Sequence, residues 1–197
     1  MRHYDLEVLQ WARDHNCPWN EETCACAAAG GHLEVLKWIR EHHCPWNVDL
    51  EDEDEDCCAL AAEGGHLEVL KWLRAHGCPW NERTCDIAGF GGHLEVLKWA
   101  REHHCPWSNM TCAYTAQGGH LEVLRWARER HFPWDEWTCA RAARGGHLDV
   151  LRWAREHDCP WDAWTCRFAA EDGQLEVLRW AIEHGCPGGE LYAHLLT

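Results

Sequence analysis

Along residues 94–102 the side chains of Leu94, Val96, Leu97, Trp99 and Ala100 form one broad apolar stripe, with Glu95, Lys98, Arg101 and Glu102 opposite. This is the period of a helix and not the alternation of a strand, so the segment predicts an amphipathic helix with one half buried. The stretch belongs to a block, GGHLEVLKW, that recurs at residues 30–38, 64–72, 91–99, 118–126 and, as GGHLDVLRW, 145–153. Its histidines stand 34, 27, 27 and 27 residues apart, and a decayed copy, DGQLEVLRW, puts Gln174 another 27 residues on. Self-similarity at such periods marks a tandem array whose units bury their apolar faces against one another.

Residues 84–107 serve as the type unit: TCDIAGFGG, then HLEVLKWAREHH, then CPW. Two short helices fit it. Thr84 is expected to cap the first through its hydroxyl, and Gly91-Gly92 to end it by accepting positive φ. Small or apolar Cys85, Ile87 and Ala88 would let that helix approach a neighbour closely. Pro106 is expected to stop the second helix, leaving Trp107 and its counterparts over the seam between units. Glu95 with Lys98, and Glu68 with Lys71, should pair on the surface, contributing roughly 0.2–0.5 kcal/mol each.

These units make the chain all-α, an α-solenoid of stacked helix-turn-helix repeats forming a single array over 1–197. A half repeat covers 1–19, six repeats cover about 20–46, 47–80, 81–107, 108–134, 135–161 and 162–188, and a partial helix covers 189–197. Residues 49–56, Asp-Leu-Glu-Asp-Glu-Asp-Glu-Asp, form an acidic insertion that should stay solvated; it lacks the glycine an EF-hand needs at its bend. Leu6, Leu9 and Trp11 would leave an uncapped apolar edge on the N-terminal helix, an expected site of self-association.

Composition narrows the function. Thirty-three acidic residues against 18 basic ones give a net charge of −15, which disfavours a phosphate-binding surface, so no nucleic-acid partner is expected. No run approaches the length of a membrane span, and no membrane partner is expected. Fourteen cysteines without an export signal read as free thiols in a reducing, intracellular and cytoplasmic setting.

The stretch GGHLEVLKWLRAHGCPWN, residues 64–81, closely resembles the second half of an ankyrin repeat, GHLEVVKLLLEHGADVN, and the Thr-Cys-x-x-Ala-Ala segment resembles a trimmed TPLHxAA. The resemblance runs from about Asp5 to Cys186. It implies stacked helix-turn-helix units and protein–protein interaction. The repeats are shorter than the roughly 33 residues of the family, which implies short loops lacking full β-hairpins. Short Trp- and Cys-rich repeats of this kind are similar to those of giant DNA viruses, which would make the compartment the host cytoplasm.

His76, Cys78 and Cys85 carry the metal alternative, a structural zinc site, because His-x-Cys-x6-Cys recurs along the chain. Zinc needs four N or S ligands, and the spacing matches none of the usual paired templates. Phe132 and Ala193 replace cysteines of the pattern with apolar groups, which favours packing, so no metal or other cofactor is expected. No phosphate loop, HExxH or G-x-S-x-G is present, and the chain reads as non-enzymatic.

Positions that vary from copy to copy then become the candidate interface with an unidentified protein partner. One column, just before the threonine, reads Glu22, Arg83, Met110, Trp137 and Trp164; another, near the end of the first helix, reads Ala29, Glu63, Phe90, Gln117, Arg144 and Glu171. The proposed contacts are Arg83, Phe90, Met110, Gln117, Trp137, Arg144, Trp164 and Glu171, since aromatic and arginine anchors dominate binding hot spots. The bland alternative is that Trp137 and Trp164 fold back on Trp134 and Trp161.

Overall fold

The computed structural model describes residues 4–45 and 56–196, so most of the acidic insertion lies outside the described residues. The helices are α1 (Tyr4–Asp14), α2 (Glu21–Ala29), α3 (Leu33–Glu41), α4 (Cys57–Glu63), α5 (Leu67–Ala75), α6 (Glu82–Phe90), α7 (Leu94–Glu102), α8 (Asn109–Gln117), α9 (Leu121–Glu129), α10 (Glu136–Arg144), α11 (Leu148–Glu156), α12 (Ala163–Glu171) and α13 (Leu175–Glu183). A 3-10 helix, Gly189–Leu196, follows where a first α-helix was expected. Gly188 at φ +73° and Gly189 take the place of the Trp and Asn/Ser/Asp that precede α2, α6, α8, α10 and α12. No strand occurs among the described residues.

The chain divides into two compact units, Met1–Thr84 and Cys85–Thr197. Within the first, α2 packs on α4 and α3 on α5; within the second, α8 and α12 pack on either side of α10, and the 3-10 helix lies on α12 and α13. First helices stack closely because their inward residues are small: Cys112, Ala113, Ala116, Cys139, Ala140, Ala142 and Ala143 are all buried. The second helices supply bulk. Leu36 and Leu70 in the first unit, and Leu97, Leu124, Leu151 and Leu178 in the second, are completely buried at the same repeat position.

The first helices do not begin as expected. Thr84 is not the cap: it lies within α6 and is fully buried. In four repeats capping falls to the residue after Pro-Trp, where Asn81, Ser108, Asp135 and Asp162 accept the amide protons of Arg83, Met110, Trp137 and Trp164. An Asn, Ser or Asp oxygen reaches the N2 amide readily from extended backbone, which satisfies one of the helix's unpaired donors. The threonine takes the N3 place, as in the capping box between Asn20 and Thr23.

The second helices also end differently. Pro106 does not stop α7, which closes at Glu102 with His104 in the left-handed region at φ 62°. The amide of Cys105 donates to Ala100 O at 2.9 Å and that of His104 to Arg101 O at 3.2 Å, the two bonds of a Schellman motif. His43, His131, Asp158 and the glycines at 77 and 185 occupy the same position with the same sign of φ. The glycine turn after each first helix does follow expectation, with Gly92 at φ +74°.

Repeats are joined through their histidines and tryptophans. His66 Nε2 lies 2.9 Å from Ala29 O in the first unit, and His120 Nε2 lies 2.9 Å from Phe90 O in the second. The other histidine set closes helices: His42, His76, His103 and His157 each donate Nδ1–H to a tryptophan carbonyl one turn back at 2.8 Å. Seam tryptophans meet helix tryptophans of the next repeat, Trp19 with Trp38 at 5.7 Å, Trp134 with Trp153 at 5.8 Å and Trp161 with Trp180 at 6.0 Å between ring centroids. The surface pairs form as expected, Lys71 with Glu68 and Lys98 with Glu95, at 2.7 Å each.

Candidate protein-binding surface

Helical spacing determines which first-helix residues share a face. In α10, Trp137, Arg141 and Arg144 stand at i, i+4 and i+7; Trp164, Phe168 and Glu171 do so in α12, and Met110, Tyr114 and Gln117 in α8. The two columns singled out from sequence therefore lie at the ends of one face. Between them runs a third variable column, Ile87, Tyr114, Arg141 and Phe168; Ile87, expected on the inward face, is half-buried in this column, and the other three were not singled out from the sequence. Its signal was present, since these positions differ from copy to copy as much as the other two do.

In the second unit this face is a connected aromatic and basic cluster. Trp137 stacks on Trp164 with centroids 5.9 Å apart, and Phe168 lies 6.1 Å from Trp137 and 5.4 Å from Trp164. The tryptophans thus meet each other across neighbouring repeats and do not rest on Trp134 and Trp161. Trp164 is 38% exposed while Phe168 beneath it is only 8% exposed, so Phe168 props the rings outward. Arg144 lies over Phe168 at 5.0 Å and Arg167 over Trp164 at 4.5 Å, the geometry of cation–π contacts.

Polar partners hold the rim. Arg144 pairs with Asp172 at 3.0 Å, Arg167 with Glu171 at 2.6 Å, and Arg141 donates to Gln117 Oε1 at 2.9 Å while lying over Tyr114. Met110 is half-buried at the start of α8, and Phe90, 40% exposed, ends α6. Arg83 falls in the other unit, half-buried beside its cap Asn81. Beneath the face, Asp86 is buried and accepts Thr111 Oγ1–H at 2.5 Å and Ser108 Oγ–H at 3.2 Å, a link between repeats that occurs in one copy alone.

The metal alternative is not assembled as a ligand set. Cys78 is engaged with the thiols of Cys57 and Cys58, Cys85 with that of Cys105, and His76 turns its Nδ1 to Trp72 O. The hydrogen bond to Cys105 and burial push the Cys85 thiol far above the ordinary cysteine range, which keeps it protonated. Burial pushes Cys112 up to about 12. Among the described residues no group of three or more His, Cys, Asp or Glu side chains is placed to hold a metal ion. Phe132, one of the two apolar replacements, is buried and stacks on Trp107 at 4.0 Å, whereas Ala193, the other, is exposed and lends no support to packing.

No helix among the described residues is long and apolar enough to cross a membrane. No curated protein sequence matches the chain. Residues 23–74 and 58–101 match the family model for ankyrin repeats in many copies. The crystal structure of the human ASB11 ankyrin repeat domain is similar over 83% of each chain, with a TM-score of 0.58 at 16% sequence identity. The similarity at that identity is one of fold, the fold built above from glycine turns, leucine stripes and histidine ties, and residues 23–101 match the ankyrin-repeat family.

Proposed function

We propose that the chain is a non-enzymatic scaffold that docks a protein partner on the variable face of its first helices, centred on Trp137, Trp164, Phe168 and Arg144. The observation that carries this reading is the Trp137–Trp164 stack, raised on Phe168 at the face where the repeats differ. Aromatic and arginine side chains at one site are the composition of binding hot spots, and their mutual stacking lowers the entropy lost on docking. Phe90, Met110, Gln117 and Glu171 extend the contact on the same face, and Arg83 provides a contact in the other unit. Fourteen free thiols favour a reducing compartment, and the reading assigns the protein to the cytoplasm.

The test is an affinity capture with the full chain and its Trp137→Ala/Trp164→Ala variant, followed by titration of the captured partner. Each anchor should contribute about 2 kcal/mol or more to affinity, while thermal stability falls little. Unchanged affinity together with a fall of many degrees in Tm would mark the pair as packing. A second contact, between two copies through α1, is favoured by Val8 and Trp11, which are 62% and 60% exposed. Sedimentation equilibrium showing a monomer at all concentrations would exclude it.

A further inference from the structure

Five repeats set a first-helix cysteine against the cysteine twenty residues later: Cys24 with Cys44, Cys58 with Cys78, Cys85 with Cys105, Cys139 with Cys159 and Cys166 with Cys186. None is joined as a disulfide. Three of them share one geometry, with the first sulfur 4.0 Å from the carbonyl oxygen of its partner in Cys24, Cys58 and Cys139. In the remaining repeat Cys112 has Phe132 at the corresponding place.

The Cys166–Cys186 pair is held less tightly than the Cys24, Cys58 and Cys139 pairs. Arginines four residues upstream clamp the carbonyls of Cys44, Cys78 and Cys159, and Arg128 does the same for Phe132 O at 2.7 Å. Residue 182, four before Cys186, is Ile, so that clamp is missing. The cover over Cys166 is thin: Gly189 passes so close that a Cβ there would stand 3.4 Å from Cys166 Sγ, and the 3-10 helix it opens leaves Leu191 66% and Leu195 42% exposed. A short element with this little buried apolar surface opens locally at low free-energy cost. Cys186 is 5% exposed, against 0% for Cys44 and Cys159, 1% for Cys78 and 2% for Cys105, and Cys166 at 0% is reached when the 3-10 helix opens.

We propose that Cys166 and Cys186 form a redox-active dithiol that closes to an intramolecular disulfide in exchange with a low-molecular-weight disulfide of the oxidised-glutathione class, ahead of the chain's other thiol pairs. The Cys166 thiolate attacks one sulfur of the small disulfide, breaking its S–S bond and expelling one small thiolate, which leaves a mixed disulfide on Cys166. Cys186, having given up its proton, then attacks the Cys166 sulfur of that mixed disulfide and expels the second small thiolate. Two protein thiols are oxidised by two electrons and one small disulfide is reduced to two thiols. The hydrogen bond between the two holds the Cys166 thiol below the ordinary cysteine range and pushes Cys186 above it, which makes Cys166 the attacking sulfur of the pair. The cross-link ties α12, which presents Trp164 and Phe168, to the loop after α13.

The experiment uses the full chain with the exposed Cys17 and Cys26 replaced by serine, equilibrated over a series of reduced-to-oxidised glutathione ratios. After acid quenching, the thiols are alkylated under denaturing conditions and mapped by peptide mass spectrometry. The peptides of Cys166 and Cys186 should leave the alkylated pool together as one cross-linked species, at ratios where Cys139 and Cys159 remain alkylated. Cys186→Ser, a near-isosteric change, should instead leave a stable glutathione adduct on Cys166. Equal alkylation of Cys166 and Cys139 at every ratio, or no adduct on Cys166 in Cys186→Ser, overturns the proposal.

Discussion

His120 places Nε2 2.9 Å from the carbonyl oxygen of Phe90, thirty residues earlier, at the last residue of the preceding repeat's first helix. That oxygen has no partner within its own helix, because the last carbonyls of any helix lack one. His120 therefore does two things: its backbone stands at the N-cap of α9, and its imidazole satisfies the end of α6. At the decayed copy Gln174 Nε2 lies 3.5 Å from Arg144 O, so a neutral amide occupies the same role. His120→Gln should keep thermal stability within a few tenths of a kcal/mol of the parent, whereas His120→Ala should lose about 1 kcal/mol. Equal losses in the two variants would show that ring packing against Gly92 matters and the hydrogen bond does not.

Gly118 and Gly173, each in a turn that ends a first helix, are required for different reasons. Gly118 has an ordinary φ of −76°, but a Cβ on it would stand 2.2 Å from Phe90 O. Gly173 has φ +70° with open space around it. Gly118→Ala should therefore cost on the order of 3 kcal/mol through a clash with backbone, and Gly173→Ala only about 1 kcal/mol through local backbone strain. Urea denaturation of the two variants measures both; a larger loss at Gly173 would reverse the assignment.

His104 holds φ 62°, a conformation in which Gly77 and Gly185 replace it elsewhere. His104→Gly relieves about 1 kcal/mol of left-handed strain and loses roughly half of that to the freer unfolded chain. A net gain of about 0.5 kcal/mol is expected, read as a higher denaturation midpoint at unchanged m-value.

Asp56 caps α4 by accepting the amide protons of Cys58 and Ala59 at 3.0 Å each. Burial raises its carboxyl above the ordinary aspartate value, and the two amide bonds and Arg83 only partly offset this. The folded chain thus binds the proton more tightly than the unfolded one, so this group's contribution to stability falls as pH rises from the unfolded value through the folded one. Asp56→Asn keeps an accepting oxygen without the buried charge. It should be more stable than the parent at pH 7, with the advantage shrinking as pH drops towards 4; an advantage constant with pH would exclude charge burial as its cause.

Local and periodic features were legible in the chain. The leucine stripe, the glycine turns, the Glu–Lys pairs and the seam tryptophans each depend on neighbours one helical turn or one repeat away, and that spacing is written in the sequence. The cap was misplaced by three residues because Thr84 and Asn81 are both cap formers, and only the start of α6 separates the two roles. The helix end was misassigned to Pro106 because a histidine at positive φ leaves no trace in composition. On the variable face, Trp137 and Trp164 stand out in the sequence as unlike their counterparts, whereas Phe168, Arg141 and Tyr114 join them only through the i, i+4 geometry of the first helices.

The sequence by itself determined the repeat, its two helices and the side of each that is buried, because these follow from side-chain periodicity at 3.6 residues per turn. Tertiary structure decided which groups meet. Cys78 and Cys85 are seven residues apart in sequence and suggested one metal site; the helix hairpin instead returns Cys78 to Cys58, twenty residues back, and gives Cys85 to Cys105. An antiparallel helix pair brings the start of its first helix beside the end of its second. Such pairings depend on which helix ends the hairpin brings together, which the spacing of neighbouring cysteines along the chain does not encode.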